Sequence, residues 1–118
     1  MSRPQKYRKV CHLPRVNEFH PKGGAKNKII LNVDEYETIR LIDKEGFSQK
    51  ECAEYMKIAR TTVQQIYNRA REKIAAALVD GAELKIDGGE YILCDGKEKE
   101  CTCGGCCRHR KLSVIGSK

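Results

Sequence analysis

Thiol and imidazole side chains are concentrated near the C-terminal end of the chain, where they could bind a metal ion. The candidate ligands are Cys94, Cys101, Cys103, Cys106, Cys107 and His109. Tetrahedral zinc takes four thiolate or imidazole ligands, and an iron–sulfur cluster takes four thiolates. The spacing does not match a zinc ribbon. Three alternatives therefore stay open: a zinc site, which we favour, an iron–sulfur cluster, and a tail that binds no metal.

A second group of side chains has the chemistry of DNA recognition. Between residues 60 and 71, arginine, glutamine, asparagine and threonine recur along a predicted helix. Glutamine and asparagine can bind adenine through two hydrogen bonds, and arginine can reach guanine or phosphate. The candidate DNA-binding residues of this stretch are Arg60, Thr61, Thr62, Gln64, Gln65, Asn68, Arg69 and Arg71.

A helix pair is needed to position these polar residues, and the sequence from Gln49 to Arg71 predicts one. Ser48 is a good N-cap, and Glu51 completes a capping box. The chain is expected to bend at residues 57–59, and a second helix is expected to begin near Arg60. Its apolar residues recur at helical spacing and predict a buried stripe of Val63, Ile66, Tyr67, Ala70 and Ile74. This pattern is typical of a helix-turn-helix, whose second helix reads bases in the major groove.

Elements on either side complete the predicted fold. A first helix is expected over residues 33–44, with Asn32 as its N-cap and Glu35 in the capping-box position. The second helix of the pair is expected to end at about Val79. A β-hairpin is predicted within residues 83–93, around a glycine-containing turn. The expected fold class is mainly α: a three-helix helix-turn-helix domain with a small C-terminal hairpin.

Positive charge is concentrated at the N-terminal end. The chain has a formal net charge of +7, and residues 1–28 hold eight Lys or Arg against one acid. Such an arm could contact phosphates or enter a minor groove through Arg3, Lys6, Arg8 and Lys9, although basic tails are often only solubilising. We therefore divide the chain into a basic N-terminal arm (1–28), a helix-turn-helix domain with its hairpin (29–93) and a Cys-rich tail (94–118).

The same composition bears on location and chemistry. The N-terminus has no apolar leader segment, and the longest apolar run, Ile74 to Val79, is too short to span a bilayer. We expect a cytoplasmic protein without membrane contact, in which clustered cysteines suggest metal or redox chemistry rather than disulfides. No paired carboxylates, nucleophile–base set or phosphate loop is visible, so an enzyme is not expected.

Several motifs, taken in order, resemble one family. They are Arg3-Pro4-x-Lys6 with Arg8-Lys9-Val10-Cys11, the stretch Val33 to Leu41, Gln49 to Arg71, and Gly88-Gly89-x-Tyr91. Over about residues 2–94 the chain resembles the uncharacterised protein family 0251, also called domain of unknown function 134. The resemblance implies a DNA-binding protein with a fold like region 4 of sigma factors, and no established activity. Lys57 and Ala59 depart from the usual turn glycine and capping serine of such helix pairs.

Three functional hypotheses follow from the sequence. The leading one is a transcription regulator that binds double-stranded DNA through the helix beginning near Arg60. The second is a sigma-like adaptor whose helices bind RNA polymerase or another protein. The third is a metal-handling protein in which the Cys-rich tail is functional and the helices are a scaffold. The apolar end of the long helix needs a cover, which the N-terminal segment, the hairpin or a second subunit in a homodimer could supply.

Overall fold

The computed structural model describes residues 8–93, which are mainly α-helical with two small sheets. In chain order the elements are β1 (Arg8–Val10), β2 (Glu18–Phe19), β3 (Lys28–Leu31), α1 (Val33–Thr38) continued by a π-helical segment (Ile39–Lys44), α2 (Gln49–Met56), α3 (Arg60–Asp80), β4 (Glu83–Ile86) and β5 (Tyr91–Leu93). Within this part of the chain, none of the helices has the length and apolar character needed to cross a membrane.

The first predicted helix is helical from end to end but changes its winding halfway. At its start, the Asn32 N–H donates to the Glu35 carboxylate at 2.9 Å, which forms one half of the predicted capping box. At its end, the Glu45 N–H donates to the Arg40 carbonyl, five residues back, at 2.9 Å. A π-helical turn holds more residues than an α-helical one, so the buried face is displaced along the sequence. Leu41 is consequently fully buried.

The predicted helix pair is present, with α2 and α3 at the expected positions. The full capping box at the start of α2 is formed, because the Glu51 N–H donates to Ser48 Oγ and the Ser48 N–H donates to the Glu51 carboxylate. Helix α2 ends at Met56, and its C-cap Lys57 adopts left-handed backbone angles of φ 62° and ψ 44°. That conformation costs a side-chain-bearing residue about 1 kcal/mol. The turn therefore keeps its geometry without the usual glycine.

The predicted β-hairpin is wrong. Strand β4 is instead the centre of a three-stranded sheet in the order β2-β4-β3, antiparallel to β2 and parallel to β3. Strand β5 pairs with β1 in parallel. The intervening loop packs against the start of α1, where the Gly88 carbonyl accepts the Val33 N–H at 2.9 Å. A Cβ at Gly89 would lie 2.6 Å from Asp34 Oδ1. The loop therefore packs so closely against α1 that only glycine fits there, and it does not form a tight hairpin turn.

Residues 8–28, which the sequence analysis assigns to the basic N-terminal arm, contribute strands to the folded unit. Strand β1 is part of the folded unit, and Val10 and Cys11 are fully buried. Val10 packs in one core cluster with Leu31, Ala70 and Ile86, and Cys11 belongs to a second cluster beneath α2. The boundary predicted at residue 28 came from charge alone. Charge patterning does not detect two apolar side chains that fill the core between basic neighbours.

Glu37 of α1 and Arg40 of the π-helical segment form a buried ion pair. Glu37 has no exposed side-chain surface, and its carboxylate accepts two hydrogen bonds from Arg40, each 2.9 Å long. The same carboxylate accepts the Cys11 N–H at 3.0 Å, which ties α1 to the end of β1. A buried carboxylate with three donors is well satisfied, whereas a cation left without its partner in that place is costly.

We expect Glu37→Gln to lower the free energy of unfolding by about 3 kcal/mol, because it removes one partner of a buried ion pair. Chemical denaturation followed by circular dichroism measures the change. The matched control is Glu54→Gln on the exposed face of α2, which should change stability by less than about 0.5 kcal/mol. Equal effects of the two substitutions would contradict a structural role for the buried pair.

Candidate nucleic-acid interface

The N-terminal half of α3 presents the predicted polar side chains to solvent. The exposed members are Arg60, Thr61, Gln64, Gln65, Asn68, Arg69 and Arg71, and Thr62 is half-buried. Residues three and four apart lie on one helix face, so Thr61, Gln64, Gln65 and Asn68 form a continuous hydrogen-bonding surface. Glu72 continues this exposed surface and adds an acid that the sequence analysis did not include.

The opposite face of α3 is the buried stripe expected from the sequence. Val63, Ile66 and Ala70 are fully buried and Tyr67 is 8% exposed, while Ile74 is half-buried. Val63 packs in the cluster that contains Cys52 and Met56 of α2, and Ala70 packs with the strands. Because α3 is held on two sides by different elements, this packing determines which of its faces is buried. The polar surface must therefore face outward.

Tyr67 connects the buried stripe to the polar surface. Its hydroxyl donates to Asp43 Oδ1 at 2.8 Å, and the Arg71 guanidinium lies 5.3 Å from the centre of its ring. Burial, together with the hydrogen bond to Asp43, raises the pKa of Tyr67 above its ordinary value. The ring therefore stays neutral and supports Arg71 through a cation–π contact. Sequence reasoning missed Asp43 because this contact joins two helices that no local pattern relates.

Arg69 differs from the other candidate arginines because an acid of α1 engages it. Its Nε lies 3.4 Å from Glu35 Oε2, although its side chain is 53% exposed. Lys73 Nζ lies 2.7 Å from the other oxygen of the same carboxylate, which is itself buried. Arg69 thus lies beside α1, at the border of the polar surface. Its first role is to help neutralise Glu35.

Two of the predicted N-terminal cations contact the protein itself. Arg8 donates to Glu90 Oε1 at 2.6 Å and lies 3.7 Å from Asp34 Oδ2. Lys9 Nζ lies 4.5 Å from the centre of the Tyr55 ring. The other two, Arg3 and Lys6, lie outside the described residues. Among the described residues, Arg8 and Lys9 are thus engaged by side chains that do not belong to the polar surface of α3.

The predicted metal ligands at Cys94, Cys101, Cys103, Cys106, Cys107 and His109 also lie outside the described residues. Within residues 8–93, Cys11 and Cys52 are buried thiols that are not joined in a disulfide. Burial, and to a smaller extent the nearby Glu37 carboxylate, raises the pKa of Cys52 to about 12. The thiolate is the reactive form of cysteine, so this thiol is expected to be inert in the folded protein.

We expect Cys11 and Cys52 to resist alkylation by iodoacetamide at about pH 8 in the folded protein and to react fully in denaturant. The burial of both thiols and the raised pKa of Cys52 are the physical reasons. Peptide mapping by mass spectrometry measures the modification at each site. Rapid modification of Cys52 under folding conditions would show that its surroundings open far more easily than a packed core allows.

The fold and this surface define a small, mainly α-helical protein in which one long helix exposes a polar face and buries the other. Comparison with known proteins identifies the family to which the chain belongs. Residues 1–94 match the family described as Protein of unknown function DUF134, and the chain belongs to this family. No solved structure matches the chain.

Relatives of the chain carry the family name UPF0251 and no description of an activity. A UPF0251 protein of Desulfitobacterium hafniense strain Y51 is 53% identical over 121 residues, which cover 100% of this chain and 97% of the relative. One from Caldicellulosiruptor bescii is 44% identical over 88% of this chain and 74% of the relative. The first similarity reaches beyond the family match at residue 94 and includes the Cys-rich segment.

Proposed function

We propose that the protein binds double-stranded DNA in a sequence-specific manner and regulates transcription, with α2 and α3 as its helix-turn-helix. The observation that supports this most is the exposed row of amide and hydroxyl side chains on the N-terminal half of α3. These groups face solvent while the opposite side of the same helix is core. In helix-turn-helix proteins, the N-terminal residues of the second helix contact base edges.

The dimensions of α3 suit this role. The stretch from Arg60 to Arg71 is about 18 Å long, at ~1.5 Å per residue. The major groove is about 12 Å wide and admits one helix, so two to three turns of α3 could lie in it. Gln64, Gln65 and Asn68 lie in the middle of this stretch. Amide side chains there can form paired hydrogen bonds with adenine, and we assign them the reading of sequence.

The charged residues of the same surface are expected to contribute to affinity, and the amide residues to specificity. Arg60 begins the helix and Arg71 ends the polar stretch, so both lie where the phosphate backbones would flank a helix in the groove. Glu72 next to Arg71 would repel phosphate, which restricts how deeply the C-terminal half of α3 can approach. Affinity therefore comes from the two arginines, and the amides between them supply specificity.

We expect Gln64→Ala or Gln65→Ala to weaken binding to a selected DNA site by about 1–3 kcal/mol and to have little effect on random DNA. A site is first obtained by selecting bound fragments from random or genomic DNA, and affinities are then measured by fluorescence anisotropy. The control is Asn17→Ala, which removes an exposed amide that lies before α1.

The outcome of this experiment separates the proposal from its alternatives. Equal losses on selected and random DNA would show that α3 does not read sequence. No affinity for any DNA, in a protein that is folded, would overturn the proposal and favour an adaptor that binds RNA polymerase or another protein. In that case a cross-linked protein partner should map to the surface between Arg60 and Asn68.

We expect Arg60→Ala and Arg71→Ala each to weaken binding to all sequences and to lower the slope of log K against log salt by about 0.9, because each removes one phosphate contact. Arg69→Ala should lower the slope less, since Glu35 already holds that guanidinium. Deleting residues 1–7 removes Arg3 and Lys6 and leaves β1 intact. An unchanged slope in this truncation would reassign these two cations to a role other than DNA contact.

The end of α3 is where we place the contact of a homodimer, a common arrangement among helix-turn-helix proteins. Phe19, Ala82 and Leu84 line a groove along one side of this end. Leu78 and Val79 nevertheless remain 79% and 83% exposed. Residues 8–93 thus supply only part of the cover expected from the sequence.

A further inference from the structure

The solvent-facing side of the three-stranded sheet gathers three side chains that can bind a metal. In the antiparallel pairing of β2 and β4, Glu18 lies opposite Lys85 and Phe19 lies opposite Leu84. Continuing this register by one residue places His20 opposite Glu83. Side chains alternate across a strand, so Glu18, His20 and Glu83 share one face of the sheet.

The opposite face of these strands explains why this arrangement is fixed. Phe19 and Leu84 line the apolar groove beside Ile74 of α3, which places them on the face of the sheet turned toward α3 even though Phe19 is 51% exposed. That packing sets which face the neighbouring residues occupy. The Ile86 N–H also donates to the Asn17 carbonyl at 2.8 Å, which continues the attachment of this segment to β4.

The three side chains already lie close together. His20 Nε2 is 3.2 Å from Glu18 Oε1, and His20 Nδ1 is 3.6 Å from Glu83 Oε2. One ligand atom from each residue can be chosen so that all three lie within 4.8 Å of one another. Around a tetrahedral zinc, ligands about 2.1 Å from the ion are roughly 3.4 Å apart. Adjustments of about 1 Å by partly exposed side chains would complete the geometry.

We propose that Glu18, His20 and Glu83 form a binding site for a divalent transition-metal ion of the zinc class. One imidazole nitrogen and two carboxylate oxygens supply three ligands, and water completes the coordination. The imidazole selects zinc-like ions over magnesium and calcium, which prefer oxygen ligands alone. The bound ion joins the segment before β3 to the strand that follows α3. It therefore stabilises the fold independently of the Cys-rich tail.

The charges around the three ligands favour the binding of a cation. Two carboxylates face one imidazole, so a divalent ion would neutralise the two negative charges of the carboxylates. Lys85 lies on the same face of the sheet, opposite Glu18.

The test uses the full chain carrying Cys101→Ser, Cys103→Ser and Cys106→Ser, so that the thiols of the tail contribute least. Calorimetric titration of the metal-free protein with Zn²⁺ measures stoichiometry and affinity, and thermal unfolding with and without Zn²⁺ measures stabilisation. Titration with Co²⁺ adds a signature of ligand type, because thiolate ligands give sulfur-to-metal charge-transfer absorption and a Glu/His site does not. His20→Ala and Glu83→Gln remove ligands, and His12→Ala removes a histidine outside the cluster.

We expect one equivalent of Zn²⁺ to bind, excess Mg²⁺ not to displace it, and His20→Ala to lower the affinity by about 100-fold or more. Glu83→Gln should also lower it, whereas His12→Ala should leave it unchanged. Because His20 and Glu18 are exposed at the surface, their substitution should not unfold the protein. The proposal is overturned if no Zn²⁺ binds below millimolar concentration, if His20→Ala retains full affinity, or if the Co²⁺ spectrum shows only thiolate ligands.

Discussion

Three carboxylates buried on one short helix are the constraint on which the rest of this structure depends. Asp34, Glu35 and Glu37 of α1 are all less than 5% exposed. Carboxylates taken out of water are expensive unless cations and hydrogen bonds compensate them. Burial raises the pKa of Asp34, and the nearby Arg8 guanidinium opposes that rise. Each carboxylate therefore needs a partner, and the partners come from β1, from α3 and from Arg40 of the π-helical segment.

The need to neutralise the buried carboxylates also affects the proposed DNA-binding surface, through Glu35. Its two oxygens contact Arg69 and Lys73, four residues apart on one side of α3. The apolar stripe alone would allow some rotation of α3, because a helix packed by aliphatic side chains can adjust. Two charged contacts to one buried carboxylate restrict that rotation. The same contacts that neutralise α1 thus determine which way Gln64 and Gln65 point.

Sequence patterns among neighbouring residues predicted much of the helical structure. The predictions that were wrong concern contacts between residues far apart in the sequence. The capping box at Ser48 depends on neighbouring residues only, so it was readable from the sequence, as was the buried stripe that leaves the polar face of α3 exposed. Strand β4 was assigned to a hairpin because β5 follows it closely, but its hydrogen-bond partners lie more than fifty residues earlier. The acids of α1 look solvent-exposed in sequence, since pairing with Arg8 or Lys73 leaves no local pattern. The cluster of Glu18, His20 and Glu83 was not predicted for the same reason, because Glu83 lies far from the other two residues in the sequence.

The parallel pairing of β1 with β5 has a consequence for the order in which the chain can fold during synthesis. Arg8 pairs with Tyr91 and Val10 with Leu93. The first described strand therefore cannot pair until the last one has been synthesised. Domains generally fold as units while the ribosome is still adding residues, and contacts between distant segments form late. The helices can assemble earlier, but β1 gains its strand partner only after Tyr91–Leu93 has been synthesised. Nascent chains halted before residue 91 should therefore be the form most open to proteases and chaperones.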